Sequence, residues 1–247
     1  MADLKLWQQL EDWKTQYEWV DMSYALSEET PHWVGWPALA CKEMANLDNS
    51  LFSAHAYTTV GQYGTHVDAP CHMVKGGRTL DQVTLQESVM PLCVIDKEAA
   101  VQANADYVLT VDDILQWEAQ YGKIPAGAFV VFQSGWGKRA AETMDNLDAD
   151  GNRHFPGWQL EAVKFLVEER NIGGIGHETS DTEAPITSGE SNYAVEYYIL
   201  AQDRIQAELL CNVEKCPPVG AVFFCTYPKV TGGSGYPARC FAICPKA

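Results

Sequence analysis

Nine residues, GTHVDAPCH from Gly64 to His72, hold two of the chain's six histidines with an aspartate between them. Alternate residues of a strand point to one face. If Gly64–Asp68 is extended, His66 and Asp68 therefore project together, and an imidazole and a carboxylate can meet one cation. Pro70 ends the strand pairing and bends the chain. His72 can then return toward the same spot without following the strand's register. Gly64 permits a close backbone approach or an unusual dihedral. HxD alone is common by chance; the full G-T-H-x-D-x-P-x-H pattern carries the metal-site reading. Cys71 points to the other side if the extended geometry persists, and reads as packing.

These side chains need a scaffold. FSAHAYTTV (52–60) alternates like a strand and leads into the motif. PLCVIDK (91–97) and GAFVVFQSG (127–135) are compact apolar runs, hence buried strands. Thr110 followed by Asp113 is a capping pattern for a helix over 111–121. WQLEAVKFLVEERN (158–171) is a second helix, and IGGIG (172–176) after it is a glycine-rich strand or turn. IQAELLCNV (205–213), AVFFCTY (221–227) and ARCFAIC (238–244) read as three closing strands. Leu6, Trp7, Leu10, Trp13 and Tyr17 follow helical spacing, so 3–17 reads as an amphipathic helix. Its apolar stripe should pack on the body or on a second subunit. No linker or repeat divides the chain, so residues 1–247 read as a single α/β domain with mixed or antiparallel sheet.

A chain of 247 residues with net charge −16, 47% hydrophobic and 20% charged residues, has the composition of an ordinary globular protein. Its acidity repels phosphate backbones and anionic lipid, so neither nucleic acid nor a membrane surface is an expected partner. No apolar run is long enough to span a bilayer. The N-terminal residues lack the pattern of a signal peptide. Eight cysteines without a CxxC pair read as reduced buried thiols in a cytoplasmic protein. The spacing of Cys211/Cys216 and Cys240/Cys244 does not suit a zinc ribbon.

GTHVDAPCH resembles the motif of the metal-dependent cyclase superfamily, which includes the kynurenine formamidases and isatin hydrolases. The likeness runs on through DMSYALSEETPHWVGWP (21–37), FVVFQSGWGKR (129–139), GIGHETSDTEAP (174–185), ELLCNVEKCPP (208–218) and GGSGYPARCFAI (232–243). It implies a swivelling β/β/α fold, a homodimer or homotetramer, metal ligation by His66 and Asp68, and an acid/base role for His72. Glu208 falls where the two-zinc formamidases carry a ligand glutamate. Those enzymes also carry two histidines where this chain has Gln62 and the Glu196–Tyr197 region. VGQYGTHVD and GHETSDTEAP are more similar to the isatin hydrolase branch, which uses one manganese ion.

The candidate ligands are thus His66, Asp68, Glu208 and the amides Gln62 and Gln206. One imidazole among oxygen donors suits one Mn²⁺ per subunit, with Zn²⁺ as the alternative. Trp33 and Trp36 lie in a proline-bounded loop that could cover a flat substrate ring, and His177 follows glycines that allow close approach. His32 and His55 read as ordinary hydrogen-bonded histidines, and His154 as a surface group in a polar loop. The expected activity is hydrolysis of a cyclic amide, isatin-like, on a small and aromatic substrate, with His72 as base. The alternatives are an arylformamidase or a lactone hydrolase, and, outside enzymes, a metal or small-molecule binding protein.

Overall fold

The computed structural model describes residues 4–187 and 193–246. Among these, nine strands form one mixed sheet in the order β1-β13-β11-β5-β7-β9-β10-β4-β12. Its centre is parallel: β5 (Val89–Asp96), β7 (Phe129–Gln133), β9 (Gly174–His177) and β10 (Ile205–Glu208) run side by side. All of β7, β9 and β10 is buried. Strands covered on both faces need no polar alternation, which is why β7 reads as a continuous apolar run. Antiparallel strands flank this centre. On one side lie β11 (Ala221–Thr226), β13 (Arg239–Pro245) and β1 (Tyr17–Asp21). On the other lie β4 (His66–Asp68) and β12 (Gly235–Pro237).

Helices α3 (Val111–Tyr121), α4 (Leu160–Arg170) and α5 (Ala194–Ala201) send Ile114, Trp117, Val163, Leu166 and Ile199 into one core with Val130, Phe132 and Ile175 of the sheet. A second core joins Val20 of β1 and Ala242 of β13 to Val67 of β4 and Ala207 of β10. These strands come from opposite ends of the sheet order, so the sheet curls to bring them together. Phe129 of β7 stacks on Phe223 of β11 at 4.1 Å within this second core.

Helix α3 spans the residues read from the sequence, and α4 falls two residues short at its start and one at its end. Other boundaries differ for physical reasons. The stretch 205–213 is not a closing strand: its extended part stops at Glu208, in mid-sheet beside β9 and β4, because Leu209 turns at φ 51°. The strand within 52–60 is β3 (Ala54–Thr58). It pairs with the unforeseen β2 (Ala40–Ala45) in a separate ribbon and does not run into β4. The unforeseen α2 (Glu98–Ala103) and two-stranded β6 (Val108–Leu109) with β8 (Gly157–Trp158) are short. Helix α1 (Lys5–Gln16) forms, with residue 3 of the expected span outside the described residues, but it buries none of its side chains. Leu6 and Trp7 stay 76% and 70% exposed. The stripe therefore meets the body of its own chain only in part: Trp13 sets its ring edge-on to Phe224 of β11 with centroids 6.5 Å apart, while Leu6 and Trp7 stay open. Six of the eight free cysteines are buried as expected, whereas Cys41 on β2 is exposed and Cys71 is half-buried.

The cap of α3 is a capping box. Thr110 accepts the Asp113 N–H at 3.3 Å, and the Asp113 carboxylate accepts the Thr110 N–H at 2.8 Å. Thr110→Ala is expected to destabilise the protein by about 1 kcal/mol. Urea unfolding checks this, and an unchanged midpoint would show that the box contributes nothing.

Candidate functional site

Sheet register assembles the site. Strand β10 pairs with β4 so that Glu208 lies opposite His66 and Gln206 opposite Asp68. Alternation then puts all four side chains on one face. His66 Nε2 lies 3.5 Å from Asp68 Oδ2 and 3.4 Å from Glu208 Oε2. His66 Nδ1 is 2.8 Å from the Gly64 carbonyl. A ring N–H donated there leaves the Nε2 lone pair facing the carboxylates, the usual arrangement of a ligating histidine. Gly64 supplies that carbonyl from φ 61°, a conformation that favours glycine. Strand β12 closes the other side. At Gly235, opposite Asp68, a Cβ would collide with the Gln62 amide and with the Asp68 carboxylate.

His66, Asp68 and Glu208 are 3%, 1% and 5% exposed. Burial works against a charged His66, yet Asp68 and Glu208 hold its pKa well above the ordinary value. Burial likewise opposes ionisation of Asp68, but His66 brings it down to about 2. Against its own desolvation, Glu208 is held below the usual range by His177 and His66. Two buried carboxylates thus demand positive charge, and without a metal ion a proton on His66 supplies it. Their donor atoms, with the His66 nitrogen, lie within 4.8 Å of one another. One nitrogen and carboxylate oxygens at this spacing fit a divalent cation, which would meet the same demand.

After β4 the chain does not stay extended. Pro70–His72 form a 3₁₀ turn, and this turn swings His72 back toward Asp68. It also carries Cys71 aside, where its thiol faces the Gly233 carbonyl at 3.6 Å. His72 Nε2 lies 3.4 Å from Glu196 Oε1, and His72 Nδ1 lies 3.3 Å from the Gln62 amide nitrogen. Burial disfavours charge on His72, but Glu196, Asp68 and Glu208 raise its pKa to about 9. Glu196 was missed as a site residue. Its signal was a carboxylate on the buried stripe of a helix: in α5 it shares that stripe with Val195, Ile199 and Leu200.

His66, His72, Glu196 and Glu208 line a cavity of about 290 Å³, with Gln62 and Asp181 in its wall. Trp33 and Trp36 also line it and pack on each other, ring centroids 5.1 Å apart. His177 and Gln206 do not line it. His177 Nε2 backs Glu208 at 3.3 Å, and Gln206 Nε2 donates to Asp68 at 3.2 Å and to Glu208 at 3.0 Å while Thr182 donates to its oxygen. His32 stacks on Tyr63, His55 sits on the exposed β3 ribbon, and His154 binds Asp106 and Asp148, all away from the cavity.

Residues 20–184 match the Cyclase family. That span is about two thirds of the chain and contains the whole GTHVDAPCH motif. The chain belongs to the Cyclase family. This family member is 33% identical over 203 residues to isatin hydrolase of Roseibium aggregatum, covering 79% of this chain and 77% of that protein. It superposes on isatin hydrolase A of Labrenzia aggregata, solved with benzyl benzoate, with a TM-score of 0.91 at 29% identity, covering 98% of this chain and all of that one. Isatin hydrolase A of Ralstonia solanacearum gives 0.90 at 29% identity, over 99% and 98% of the two chains. An isatin hydrolase bound to the product analogue thioisatinate also gives 0.90, at 28% identity, with both chains fully covered. The cyclase-family fold expected from the motif is therefore the fold observed.

Two more buried carboxylates stand beside the cavity of this cyclase-family chain. Burial raises Asp181 to about 8, although Arg153 donates to it at 2.7 Å. Burial likewise raises Glu183 to about 7; its Oε1 accepts the Val195 N–H at 2.6 Å, and its Oε2 has no hydrogen-bond partner among the described residues. A carboxyl whose folded pKa exceeds its unfolded value binds more protons when folded. Stability from this group is therefore complete below about pH 4.5 and is lost as pH rises to about 7. Glu183→Gln keeps the acceptor and removes the titration. The wild type is expected to lose up to roughly 3 kcal/mol more than this variant over that interval. Urea unfolding at several pH values checks it; identical pH dependence in the two proteins would mean that folding leaves the pKa of Glu183 unchanged.

Proposed function

We propose that the protein is a metal-dependent hydrolase that opens a cyclic amide of the isatin type, giving an amino-aryl keto acid. The observation that carries this reading is the join of a buried His66–Asp68–Glu208 donor set to His72, itself paired with Glu196, at one cavity. The similarity to isatin hydrolases over nearly the full chain supports the substrate class. We assign the metal to one Mn²⁺ per subunit, with Zn²⁺ as the alternative, because oxygen donors outnumber the single imidazole. The hydrolase domain takes in residues 1–247. The exposed stripe of α1 is the surface we assign to self-association, as a homodimer or homotetramer. A cytoplasmic location accords with thiols that are all free. No helix of the described residues is long and apolar enough to cross a membrane.

His66, Asp68 and Glu208 would hold the ion. A divalent cation there supplies a Lewis acid for the amide carbonyl and activates water, and its charge offsets the carboxylates that otherwise keep His72 protonated. His72 takes a proton from the attacking water. The water oxygen bonds to the amide carbon, the carbon–nitrogen bond breaks, and His72 returns the proton to the leaving nitrogen. Trp33 and Trp36 hold the flat ring and exclude bulk water. Stacking contributes roughly 0.5–1.5 kcal/mol beyond buried area.

Elemental analysis with an isatin-hydrolysis assay tests the assignment. Asp68→Ala is expected to lose the metal and nearly all activity while staying folded; full metal content would sink the ligand set. His72→Ala is expected to keep the metal and lose roughly 10²–10⁴-fold in rate. Metal loss in that variant would make His72 a ligand. N-formylkynurenine and a simple lactone in the same assay separate the formamidase and lactonase readings.

The tryptophans give an independent test. Trp33→Ala or Trp36→Ala is expected to raise KM for an aromatic amide much more than for a small aliphatic substrate. Equal effects on both substrate types would reduce the loop to packing.

A further inference from the structure

The amide of Gln62 is oriented by its neighbours. Its nitrogen lies 3.1 Å from Asp68 Oδ1, 3.4 Å from Ser234 Oγ and 3.3 Å from His72 Nδ1. Turning the amide over would set its oxygen against the buried Asp68 carboxylate, two acceptors facing each other. The nitrogen therefore points inward, and it can only donate. Toward His72 it meets Nδ1, which in the neutral ring must then be the lone-pair nitrogen. The ring proton is left on Nε2, where Glu196 Oε1 lies 3.4 Å away. Glu196 is itself buried, 7% exposed, and fixed on α5. The N-terminus of that helix is tied down by Glu183 through the Val195 N–H.

We propose that Glu196 is the positioning residue of His72: it accepts the Nε2–H, holds the ring in the tautomer that Gln62 selects, and leaves Nδ1 as the atom that takes the proton. When Nδ1 takes a proton from water, both ring nitrogens carry hydrogen and the imidazolium faces a carboxylate it already touches. Glu196 compensates its charge, while the Gln62 N–H, which can no longer donate to Nδ1, gives up that bond and keeps Asp68 Oδ1 as its acceptor. When the proton passes to the leaving nitrogen, the ring returns to the same tautomer. A carboxylate here thus favours the charged form of His72 during the reaction and keeps the ring from turning over. The inference rests on the proposed role of His72 as base. It competes with one other use of the same atoms, since Asp68, His72 and Glu196 also bring donor atoms within 4.8 Å of one another and could grip a cation.

Metal content, kcat and KM for isatin, measured on Glu196→Gln, Glu196→Asp, His72→Ala and the His72→Ala/Glu196→Gln double variant, decide between these. Glu196→Gln is nearly isosteric and keeps an acceptor for Nε2–H. It is expected to retain the metal, keep KM within about twofold and lower kcat roughly 10–100-fold, the usual range for a residue that orients a catalytic group. Glu196→Asp keeps the charge and is expected to recover part of that loss. The double variant is expected to be no slower than His72→Ala alone, because a residue that acts through His72 has nothing left to act on. Four outcomes overturn the inference. Metal loss in Glu196→Gln makes Glu196 a ligand. A rise in KM without a fall in kcat makes it a substrate contact. Unchanged kinetics give it no part. A further drop in the double variant makes its effect independent of His72. A His72→Ala enzyme that turns over normally would instead overturn the general-base reading itself, which separates the two failures.

Discussion

Two carboxylates buried almost completely face the same imidazole, Asp68 from His66's own strand and Glu208 from the strand paired with it. Negative charge in such a place is expensive unless a cation shares it. Everything around the pair serves that demand. Gln206 donates to both carboxylates, and His177 stands behind Glu208. The Gly64 carbonyl turns the remaining lone pair of His66 inward. A structure with no use for a cation would gain by replacing the pair with apolar side chains, since buried ion pairs add little to stability on their own. The pair is thus evidence of function rather than of stability.

The fold supplies precision through register. Glu208 belongs to the site because it is the last residue of a strand paired to β4, with Leu209 turning away immediately after it. A shift of one residue between β10 and β4 would turn Glu208 and Gln206 to the opposite face. Parallel neighbours on one side and the antiparallel β12 on the other hold that register, and the glycine at 235 gives the Asp68 carboxylate and the Gln62 amide room to meet. His72 depends on different parts, a proline-led turn and a helix from the far side of the cavity. The two groups are therefore borne by separate elements, His66, Asp68 and Glu208 on the sheet and His72 with Glu196 between turn and helix.

Much of the site was legible in one stretch of sequence. His66 and Asp68 at strand spacing, Pro70 as the bend and His72 beyond it were read from residue chemistry, and each sits in the structure where that reading puts it. The cap of α3 and the sequence pattern of α4 marked those helices, because their signals are local. The resemblance of the motif to a family extended the reading to Glu208 and to the fold. The long reach of 205–213 as a strand was misjudged because an apolar run does not reveal a backbone turn at Leu209.

Tertiary structure alone decided the rest. The family resemblance marked the region of Glu196, but not that its carboxylate meets His72, which lies more than a hundred residues earlier; a curled sheet and a docked helix bring them to 3.4 Å. The same holds for the division of labour among the polar candidates. Gln62 touches His72, whereas Gln206 and His177 support the carboxylates from behind. Residue type and local spacing determine which side chains can ligate, transfer a proton or stack. Which of them face the same few ångströms of space is set by strand register and helix docking, and these depend on contacts between segments far apart in the chain.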